Sequence, residues 1–338
     1  MIKNQKRNII DLRFGENPEA FSPAVEAIKE EAEMINMYPD SKRQKLISLV
    51  SKKEQINKEN IYISNGIAGA IHIIFTIYAN KNFEIILPVP TFPDYEFTGK
   101  DLGYQIKEIP LEKDFSLDVE KLIKSINKNT KFIVIVNPNN PTGNSLISNK
   151  DLENILKSFK GFVIIDEAYF ELTNETSIGL LDKYKHLIIF RGFSKGYGLA
   201  GLRIGIVFAN KEIIKKINET EGKSNKFIVN RLALKAAESV LLNQHIAKKY
   251  VDTFLSTKKE FETKISKIKG IQVLESKTSF SLFRLNKPLN DVPKKLKKKR
   301  ILIKSTEIYK NFPNDIMIIG VPKREEIQYI YNSIKEII

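Results

Sequence analysis

Short apolar runs alternate with amphipathic stretches through the middle of the chain. Runs such as FEIILPVP, KFIVIVNP and GFVIIDEAYF are separated by stretches whose apolar residues recur at helical spacing, as in NKDLENILKSF. Strands that are apolar on both faces and separated by helices are typical of a parallel sheet buried between two helical layers. The pattern therefore predicts an α/β fold with a largely parallel sheet.

The pattern changes beyond residue 210. Lysine-rich helices are predicted over 211–219 and about 231–267, and strands then return in GIQVLES, SFSLFRL, RILIKS and DIMIIGV before a last helix over 323–338. This mixture predicts a second, smaller α+β domain in the C-terminal part.

The N-terminal stretch DLRFGENPEAFSP is typical of an extended arm, and a helix is predicted over about 22–34. We expect three regions: an arm and helix near the small domain (1–35), a large domain (36–235) and a small C-terminal domain (236–338).

Composition disfavours several classes of protein. The chain has no cysteine, which excludes disulfides and thiolate metal sites, and no metal site is predicted. The start MIKNQKRNIIDLRF lacks the apolar core of a signal peptide, and no apolar run is long enough to span a membrane. The sequence therefore predicts a cytoplasmic protein without membrane contact.

The net charge of +15 raises the question of nucleic-acid binding. The lysines are spread along the whole chain, and their densest run, residues 294–300, has no interleaved aromatic residues on which bases could stack. A solvated helix face is favoured there, so no nucleic-acid partner is predicted. The excess positive charge favours an anionic substrate.

One glycine-rich turn stands between two apolar runs, in HLIIFRGFSKGYGLAGLRIGIVF, and it contains Lys195 and Arg203. A partly desolvated lysine has a lowered pKa and becomes a nucleophile. An arginine offers the forked, permanent cation that a phosphate prefers. The alternative is a surface turn that merely joins two strands.

Four polar motifs follow predicted strand ends in a fixed order: NPNNPTG, DEAYFE, the pair Ser194-Lys195, and GLAGLRIG. In this order and spacing they resemble the class I/II aminotransferases of the fold-type I pyridoxal phosphate (PLP) enzymes. The resemblance is closest to the histidinol-phosphate aminotransferase branch, which includes threonine-phosphate decarboxylase-like enzymes. It runs over essentially the whole chain, from GENP through MYPD and PTFPDY to the C-terminal helix.

The resemblance implies a PLP cofactor and a role for each matched residue. Lys195 matches the lysine that forms the Schiff base and moves the substrate proton, and Asp166 matches the partner of the pyridinium nitrogen. Tyr169 and Asn140 match the pair that hydrogen-bonds the phenolic oxygen. Phe92 matches the aromatic residue that stacks on the ring.

The cofactor phosphate and the subunit partner are implied in the same way. The matched phosphate ligands are the side chains of Ser194 and Arg203 and the backbone of Gly66, Ile67 and Ala68, at a predicted helix start. Tyr38 matches a tyrosine that reaches the cofactor phosphate of the neighbouring subunit. The resemblance therefore implies a homodimer.

The chain departs from the family where the substrate α-carboxylate is usually clamped. The family has an arginine in a pattern like R-I-T-x-G, whereas this chain reads DIMIIGVP and places Ile316 at that position. Either another cation has taken over or the substrate has no α-carboxylate. The candidate cations are Lys304, which matches a residue that binds the substrate phosphate, and Arg13, Lys226 and Arg231.

Four further positions are of lesser weight. Tyr95 and Tyr197 lie next to matched positions, and a packing role is expected for both. Gly192 replaces a residue that is mostly Ser or Thr on the cofactor phosphate, and Gly69 stands near a position that is commonly acidic. Looser phosphate binding, or compensation by backbone groups, is expected.

The predicted function is PLP-dependent transamination of a small, phosphorylated amine or carbonyl compound; absence of an α-carboxylate from the substrate is one of the two explanations for Ile316. The alternatives are decarboxylation of a phosphorylated amino acid and histidinol-phosphate transamination itself. A non-enzymatic regulator that binds cofactor or nucleic acid is disfavoured, because Lys195 and Asp166 are both present and no helix-turn-helix extension is apparent.

Overall fold

The computed structural model describes residues 9–224 and 227–338. Its strands are β1 Ile10–Asp11, β2 Ile61–Ser64, β3 Glu84–Val89, β4 Gln105–Pro110, β5 Thr130–Val136, β6 Phe162–Asp166, β7 Leu187–Gly192, β8 Gly205–Ala209, β9 Ile271–Leu274, β10 Phe280–Leu285, β11 Ile301–Leu302 and β12 Ile316–Gly320. Its helices are α1 Ser22–Glu31, α2 Gln44–Glu54, α3 Gly66–Ile77, α4 Asp94–Asp101, α5 Val119–Ser125, α6 Asn149–Ser158, α7 Phe170–Thr173, α8 Lys211–Ser224, α9 Arg231–Leu242, α10 Gln244–Ile265, α11 Val292–Lys298 and α12 Ile327–Ile337.

Seven strands form one large sheet in the order β2-β8-β7-β6-β5-β3-β4. The pairs β4-β3, β3-β5, β5-β6 and β6-β7 are parallel, whereas β8 runs antiparallel to both β7 and β2. Only β8 is therefore reversed in this sheet. The prediction of a largely parallel sheet in an α/β fold is confirmed.

Helices cover both faces of the large sheet. In β5, Ile133 and Ile135 pack in one core cluster with side chains of α2, α6 and α9. Phe132 and Val134, which alternate with them, pack in a second cluster with side chains of α3 and α8. Successive residues of a strand point to opposite faces, so a strand buried on both faces is apolar throughout.

The C-terminal part contains an antiparallel three-stranded sheet, β12-β10-β9, and β1 pairs in parallel with β11. The N-terminal arm is also tied to β12, because the backbone N–H of Gly320 donates to the carbonyl of Leu12 (2.8 Å). The arm thus lies against the C-terminal strands. None of the helices in the described ranges is long and apolar enough to cross a membrane.

Two predicted elements are wrong in their bounds. The helix expected over 231–267 is two helices, because Asn243 between α9 and α10 leaves the helical conformation (φ −112°, ψ 44°). The strand expected over GFVIIDEAYF ends at Asp166, and the chain then turns into α7. The domain boundaries stay predictions; α9 spans the one placed between residues 235 and 236.

Candidate active site

The loops that carry the polar motifs meet at one edge of the large sheet. β8 begins where its neighbours end, since Gly205 lies opposite both Ser64 at the end of β2 and Gly192 at the end of β7. A cavity of about 360 Å³ opens at this edge. The predicted residues that line it are Arg13, Ile67, Ala68, Phe92, Asn140, Asp166, Tyr169, Gly192, Ser194, Lys195, Arg203 and Lys304.

Lys195 lies in the turn after β7 with its amine in this cavity. Its Nζ donates a hydrogen bond to the backbone carbonyl of Phe14 in the N-terminal arm (2.6 Å). Burial lowers the pKa of Lys195 to about 8; Glu16 opposes this change and Arg203 adds to it. About one tenth of the amine is therefore neutral at pH 7, far more than for an ordinary lysine, and the neutral form is the nucleophile.

Asp166 is the last residue of β6 and is buried. Its Oδ2 accepts a hydrogen bond from the Tyr95 hydroxyl (2.8 Å) and its Oδ1 accepts one from the backbone N–H of Ala168 (2.9 Å). Burial raises the pKa of Asp166 to about 7, although both hydrogen bonds act to lower it. Because the described residues place no cation against this carboxylate, a protonated ring nitrogen would supply the missing partner.

Asn140 joins two residues from the C-terminal part of the chain. Its Oδ1 accepts hydrogen bonds from the Tyr309 hydroxyl (3.0 Å) and from Nζ of Lys304 (3.3 Å). Burial lowers the pKa of Lys304 to about 8; the charge of Lys195 adds to this change, and that of Asp94 opposes it. Tyr309 was not among the predicted residues.

A candidate anion site lines the same cavity as Lys195. Ile67 and Ala68 line the cavity at the first turn of α3, where backbone N–H groups favour an anion. Gly66 lies behind the cavity lining: it has a φ of +68°, and a Cβ there would lie 3.0 Å from Nη2 of Arg203. Glycine suits this position because of its positive φ, and it leaves room for the guanidinium of Arg203 to approach closely. The Lys195 amine, the Asp166 carboxylate and this candidate anion site match the aldehyde, the ring nitrogen and the phosphate of PLP.

The remaining predicted residues are distributed as follows. Phe92 lines the cavity and meets Tyr95 edge-on, with ring centroids 6.3 Å apart. Tyr169 is buried and packs edge-on against Phe280. Tyr95 was expected only to pack, yet its hydroxyl also binds Asp166.

Two other minor positions lie away from the cavity lining. The hydroxyl of Tyr197 accepts a hydrogen bond from Lys53 Nζ (2.8 Å). Gly69 lies inside α3, where its backbone N–H donates to the carbonyl of Asn65.

Tyr38 is 80% exposed and does not line the cavity of its own chain. Its ring stacks on that of Phe227 with centroids 4.7 Å apart. Arg231, a candidate cation, also lies outside the lining: its Nε donates to Glu31 (2.6 Å), and its Nη1 donates to the carbonyl of Tyr38 (3.4 Å). Lys226 lies outside the described residues.

Of the four cations proposed to replace the family's arginine, only Arg13 and Lys304 line the cavity among the described residues. Arg13 lines the cavity but forms a two-point ion pair with Asp11 (2.7 and 2.9 Å). Ile316 is fully buried in an apolar cluster with Tyr169, Phe280 and Tyr309, so its position supplies no charge. Of Arg13 and Lys304, only Lys304 has no ion-pair partner among the described residues.

Arg284, on the strand next to Ile316, could have replaced the family's arginine, but it does not line the cavity. Arg284 on β10 lies directly opposite Ile316 in the register. Its Nε is 3.5 Å from Oδ2 of Asp315. The side chain of Arg284 therefore does not stand in for the arginine of the family.

Sequence reasoning missed two acidic residues that line the cavity, Glu16 in the arm and Asp94 at the start of α4. Both stand inside motifs that the sequence had singled out, GENP and PTFPDY. The signal was therefore available, but neither residue matched a known role.

The comparisons with known proteins agree with this geometry. A histidinol-phosphate aminotransferase of Thermoanaerobacter pseudethanolicus is 32% identical over 345 residues, covering 100% of this chain and 96% of that protein. The crystal structure of histidinol-phosphate aminotransferase from Sinorhizobium meliloti in complex with pyridoxal-5'-phosphate matches with a TM-score of 0.88 and 20% identity, covering 97% of this chain and 90% of that one.

A second solved structure, L-threonine-O-3-phosphate decarboxylase from Porphyromonas gingivalis, matches with a TM-score of 0.82 and 22% identity, covering 97% of this chain and 99% of that one. A family model for aminotransferase class I and II matches residues 7–325. The chain therefore belongs to the class I and II aminotransferases: it is a PLP-dependent, fold-type I enzyme that resembles the histidinol-phosphate aminotransferases.

Proposed function

We propose that this aminotransferase acts on a small phosphorylated amine and that Lys304 binds the substrate phosphate. The observation that carries the proposal is the position of Lys304, which lines the cavity and whose Nζ donates its hydrogen bond to a neutral oxygen, Oδ1 of Asn140. A buried ammonium without a counter-charge is costly, and a bound phosphate would remove that cost. The name of the relative from Thermoanaerobacter pseudethanolicus supports histidinol phosphate as the first compound to test.

The cofactor supplies an aldehyde that captures the amine and a ring that takes up the electron pair of the broken C–H bond. The chain holds it in place. Arg203 and the start of α3 would bind its phosphate, and the Asp166 carboxylate would keep its ring nitrogen protonated. Tyr169 and Asn140 line the same cavity and would hydrogen-bond the phenolic oxygen of the bound cofactor.

Lys195 moves the proton. With a pKa of about 8, its Nζ is available both as a neutral base, to take a proton from the substrate carbon, and as an ammonium, to give it back. The neighbouring guanidinium of Arg203 is one of the groups that hold this pKa down. The buried apolar surroundings of Ile316 favour a substrate without an α-carboxylate.

The second candidate reaction is decarboxylation of a phosphorylated amino acid. It is considered because the Porphyromonas gingivalis decarboxylase has the same fold. The same base and ring partner would serve it. Its substrate brings a carboxylate, however, and the usual arginine for that group is replaced by Ile316. Transamination of an amine without a carboxylate is therefore preferred.

We also propose a cytoplasmic homodimer in which Tyr38 reaches the cofactor phosphate of the partner. Met34, Ile35 and Met37, next to Tyr38, are exposed apolar side chains that a second subunit would cover. Sedimentation should give a dimer, and Tyr38→Phe should weaken PLP binding. A monomer that binds PLP as tightly as a wild-type dimer would contradict this part.

The substrate proposal is tested with two matched amines, histidinol phosphate and histidinol. Loss of the cofactor aldehyde absorbance is followed after each amine is mixed with the holoenzyme. We expect kcat/KM to favour the phosphorylated amine by about 100-fold, and Lys304→Met to reduce this ratio by about 10-fold or more.

Lys310→Met is the control, because Lys310 is an exposed lysine that pairs with Glu96 and Glu108 outside the cavity. It should leave the ratio unchanged. Equal kcat/KM values for the two amines would refute the proposal, and carbon dioxide release from phosphothreonine without a carbonyl acceptor would favour the decarboxylase.

A further inference from the structure

The turn that carries Lys195, residues 193–199, is fixed by backbone hydrogen bonds mainly at its two ends. The N–H of Phe193 donates to the carbonyl of Ile204 (3.2 Å), and that of Leu199 donates to the carbonyl of Phe193 (2.9 Å). Among the described residues, the N–H groups between these ends, at positions 194–197, donate to no backbone carbonyl. The position of Lys195 within this lysine turn therefore depends on side-chain contacts.

Tyr197 makes one of these contacts. It stands two residues after Lys195, and its hydroxyl accepts a hydrogen bond from Nζ of Lys53 on α2 (2.8 Å). Both side chains are half-buried, and neither lines the active-site cavity. The hydrogen bond thus joins the lysine turn to a helix of the large sheet without occupying any part of the cavity.

The surroundings of Lys53 keep its amine charged. Oε1 of Glu54 lies 3.6 Å from Nζ of Lys53. Burial acts to lower the pKa of Lys53, but Tyr197 and the carboxylates of Glu54 and Glu171 raise it above its ordinary value. A hydrogen bond from a charged donor is stronger than one between neutral groups, so Lys53 is a firm anchor for the Tyr197 hydroxyl.

Glu171 supports the lysine turn next to this anchor. A Cβ at Gly196 would overlap Cβ of Glu171, so the backbone beside Lys195 lies directly against this side chain. Glu171 stands on α7 and does not line the active-site cavity. A packed wall leaves the turn little freedom as long as Tyr197 is also held, and a shift at Tyr197 would be passed along two residues of backbone to Lys195.

We propose that Lys53 is a positioning residue for transamination: through its hydrogen bond to Tyr197 it holds the lysine turn where Nζ of Lys195 reaches the reacting carbon of the substrate. Proton transfer is sensitive to such placement, because a displacement of about 1 Å can slow a reaction by about 100-fold. The inference rests on the proposed role of Lys195 as the group that moves the proton. It adds a residue that touches neither substrate nor cofactor.

A purely structural role for Lys53 is the competing explanation. Such a role would change the amount of folded protein but not the rate constant of the protein that is folded. Lys53→Met and Tyr197→Phe remove the same hydrogen bond from its two sides. The matched controls are Lys107→Met and Tyr104→Phe, since each of these side chains donates to a backbone carbonyl (2.5 and 2.8 Å) and does not line the cavity.

The experiment follows one turnover of the holoenzyme by loss of the cofactor aldehyde absorbance. The amines are histidinol phosphate and histidinol, each with hydrogen or deuterium on the carbon that bears the amine. The rate constant at saturating amine reports the steps after binding, and the ratio of the hydrogen rate to the deuterium rate reports how far proton transfer limits them. Using both amines makes the result independent of how phosphate is bound.

We expect Lys53→Met and Tyr197→Phe each to lower this rate constant by about 10-fold, with an isotope ratio at least as large as in the wild-type protein. The amine concentration that gives half the maximal rate should not change. The double variant should be no slower than the slower single variant, because both changes remove one hydrogen bond. Lys107→Met and Tyr104→Phe should keep the wild-type rate constant.

Wild-type rate constants in both Lys53→Met and Tyr197→Phe would overturn the proposal. So would an isotope ratio that falls in these variants, because a step other than proton transfer would then have been slowed. A double variant that is slower by the product of the two single effects would also overturn it, since the two residues would then act separately.

Lys195→Ala distinguishes failure of this inference from failure of the proposed function. If Lys195→Ala with added PLP converts the amines as fast as the wild-type protein, another group moves the proton and both proposals fail. If Lys195→Ala loses the conversion while Lys53→Met keeps the wild-type rate constant, the role of Lys195 stands and Lys53 does not position it.

Discussion

The hydroxyl of Tyr95 donates a 2.8 Å hydrogen bond to Oδ2 of Asp166, the carboxylate that we propose as partner of the cofactor ring nitrogen. Both groups are buried, and this hydrogen bond acts to lower a pKa that burial has raised to about 7. Tyr95 therefore helps to keep Asp166 ionised, although its side chain lies behind the cavity lining.

Tyr95→Phe should weaken PLP binding and shift its pH dependence. Removing the hydrogen bond raises the pKa of Asp166, so the carboxylate becomes protonated at a higher pH than in the wild-type protein. When the solution is acidified, the PLP affinity of the cofactor-free Tyr95→Phe variant should therefore begin to fall at a higher pH than that of the wild-type protein. A hydrogen bond to a charged group contributes about 1.5–3 kcal/mol, which corresponds to about 10-fold or more in Kd.

Fluorescence titration with PLP between pH 5 and 8, in about half-unit steps, measures this shift around the pKa of Asp166. Tyr104→Phe is the control, since its buried hydroxyl donates to the backbone carbonyl of Phe75 (2.8 Å) and not to Asp166. If Tyr95→Phe shifts the pH at which PLP affinity falls no further than Tyr104→Phe does, the hydrogen bond from Tyr95 does not help to keep Asp166 ionised.

Lys304 should make recognition of the phosphate depend on pH. A lysine is charged below its pKa, and burial lowers that of Lys304 to about 8, so the charge is lost as the pH rises through this region. The preference for histidinol phosphate over histidinol should therefore fall above about pH 8. Lys304→Arg keeps its charge, so its preference should stay flat between about pH 7 and 10.

Steady-state kcat/KM ratios for the two amines provide the measurement. Taking a ratio removes the titration of Lys195 and of the substrate amine, which affect both compounds. A wild-type ratio that stays constant through pH 9 would contradict the assignment of Lys304, since the ammonium would then not be the group that binds phosphate.

The sequence predicted the parts of the candidate site that lie at or just beyond the ends of regular strands. Asp166 ends β6 and Lys195 lies in the turn just after β7; both strands have clear apolar runs, and parallel strands bring their carboxyl ends to one edge. The hydrogen bond from Tyr309 to Asn140 could not be predicted, because the two residues are 169 positions apart and Tyr309 stands in an irregular segment after β11. Such a contact depends on how the C-terminal strands pack, which local patterns do not encode.

Gly66→Ala should weaken PLP binding by about 10-fold or more. The φ of +68° costs an L residue about 1–2 kcal/mol, and the added Cβ would lie 3.0 Å from Nη2 of Arg203 and push the guanidinium away. Gly179→Ala is the control, because no atom lies within 4 Å of a Cβ there. Equilibrium dialysis of PLP measures both variants, and an unchanged Kd in Gly66→Ala would show that Arg203 does not depend on this glycine.

A buried ion pair away from the active-site cavity should dominate the stability of the segment around α2 and α8. Arg43 donates to both carboxylate oxygens of Glu221 (2.7 and 2.6 Å), and its guanidinium lies 5.0 Å from the ring centroid of Tyr62. Both charged side chains are about 5% exposed. Removing one partner leaves a buried charge without compensation, which costs about 3–5 kcal/mol, whereas replacing both by apolar residues costs far less.

Arg43→Met should therefore lower the free energy of unfolding by about 3–5 kcal/mol, and adding Glu221→Leu should restore most of that loss. Urea denaturation of the four species in this double-mutant cycle gives the coupling energy. Lys124→Met, which breaks an exposed pair with Glu120, should cost no more than about 1 kcal/mol. If the double variant is instead as unstable as the sum of the two single variants, the pair contributes through packing of the individual side chains and not through the charge interaction.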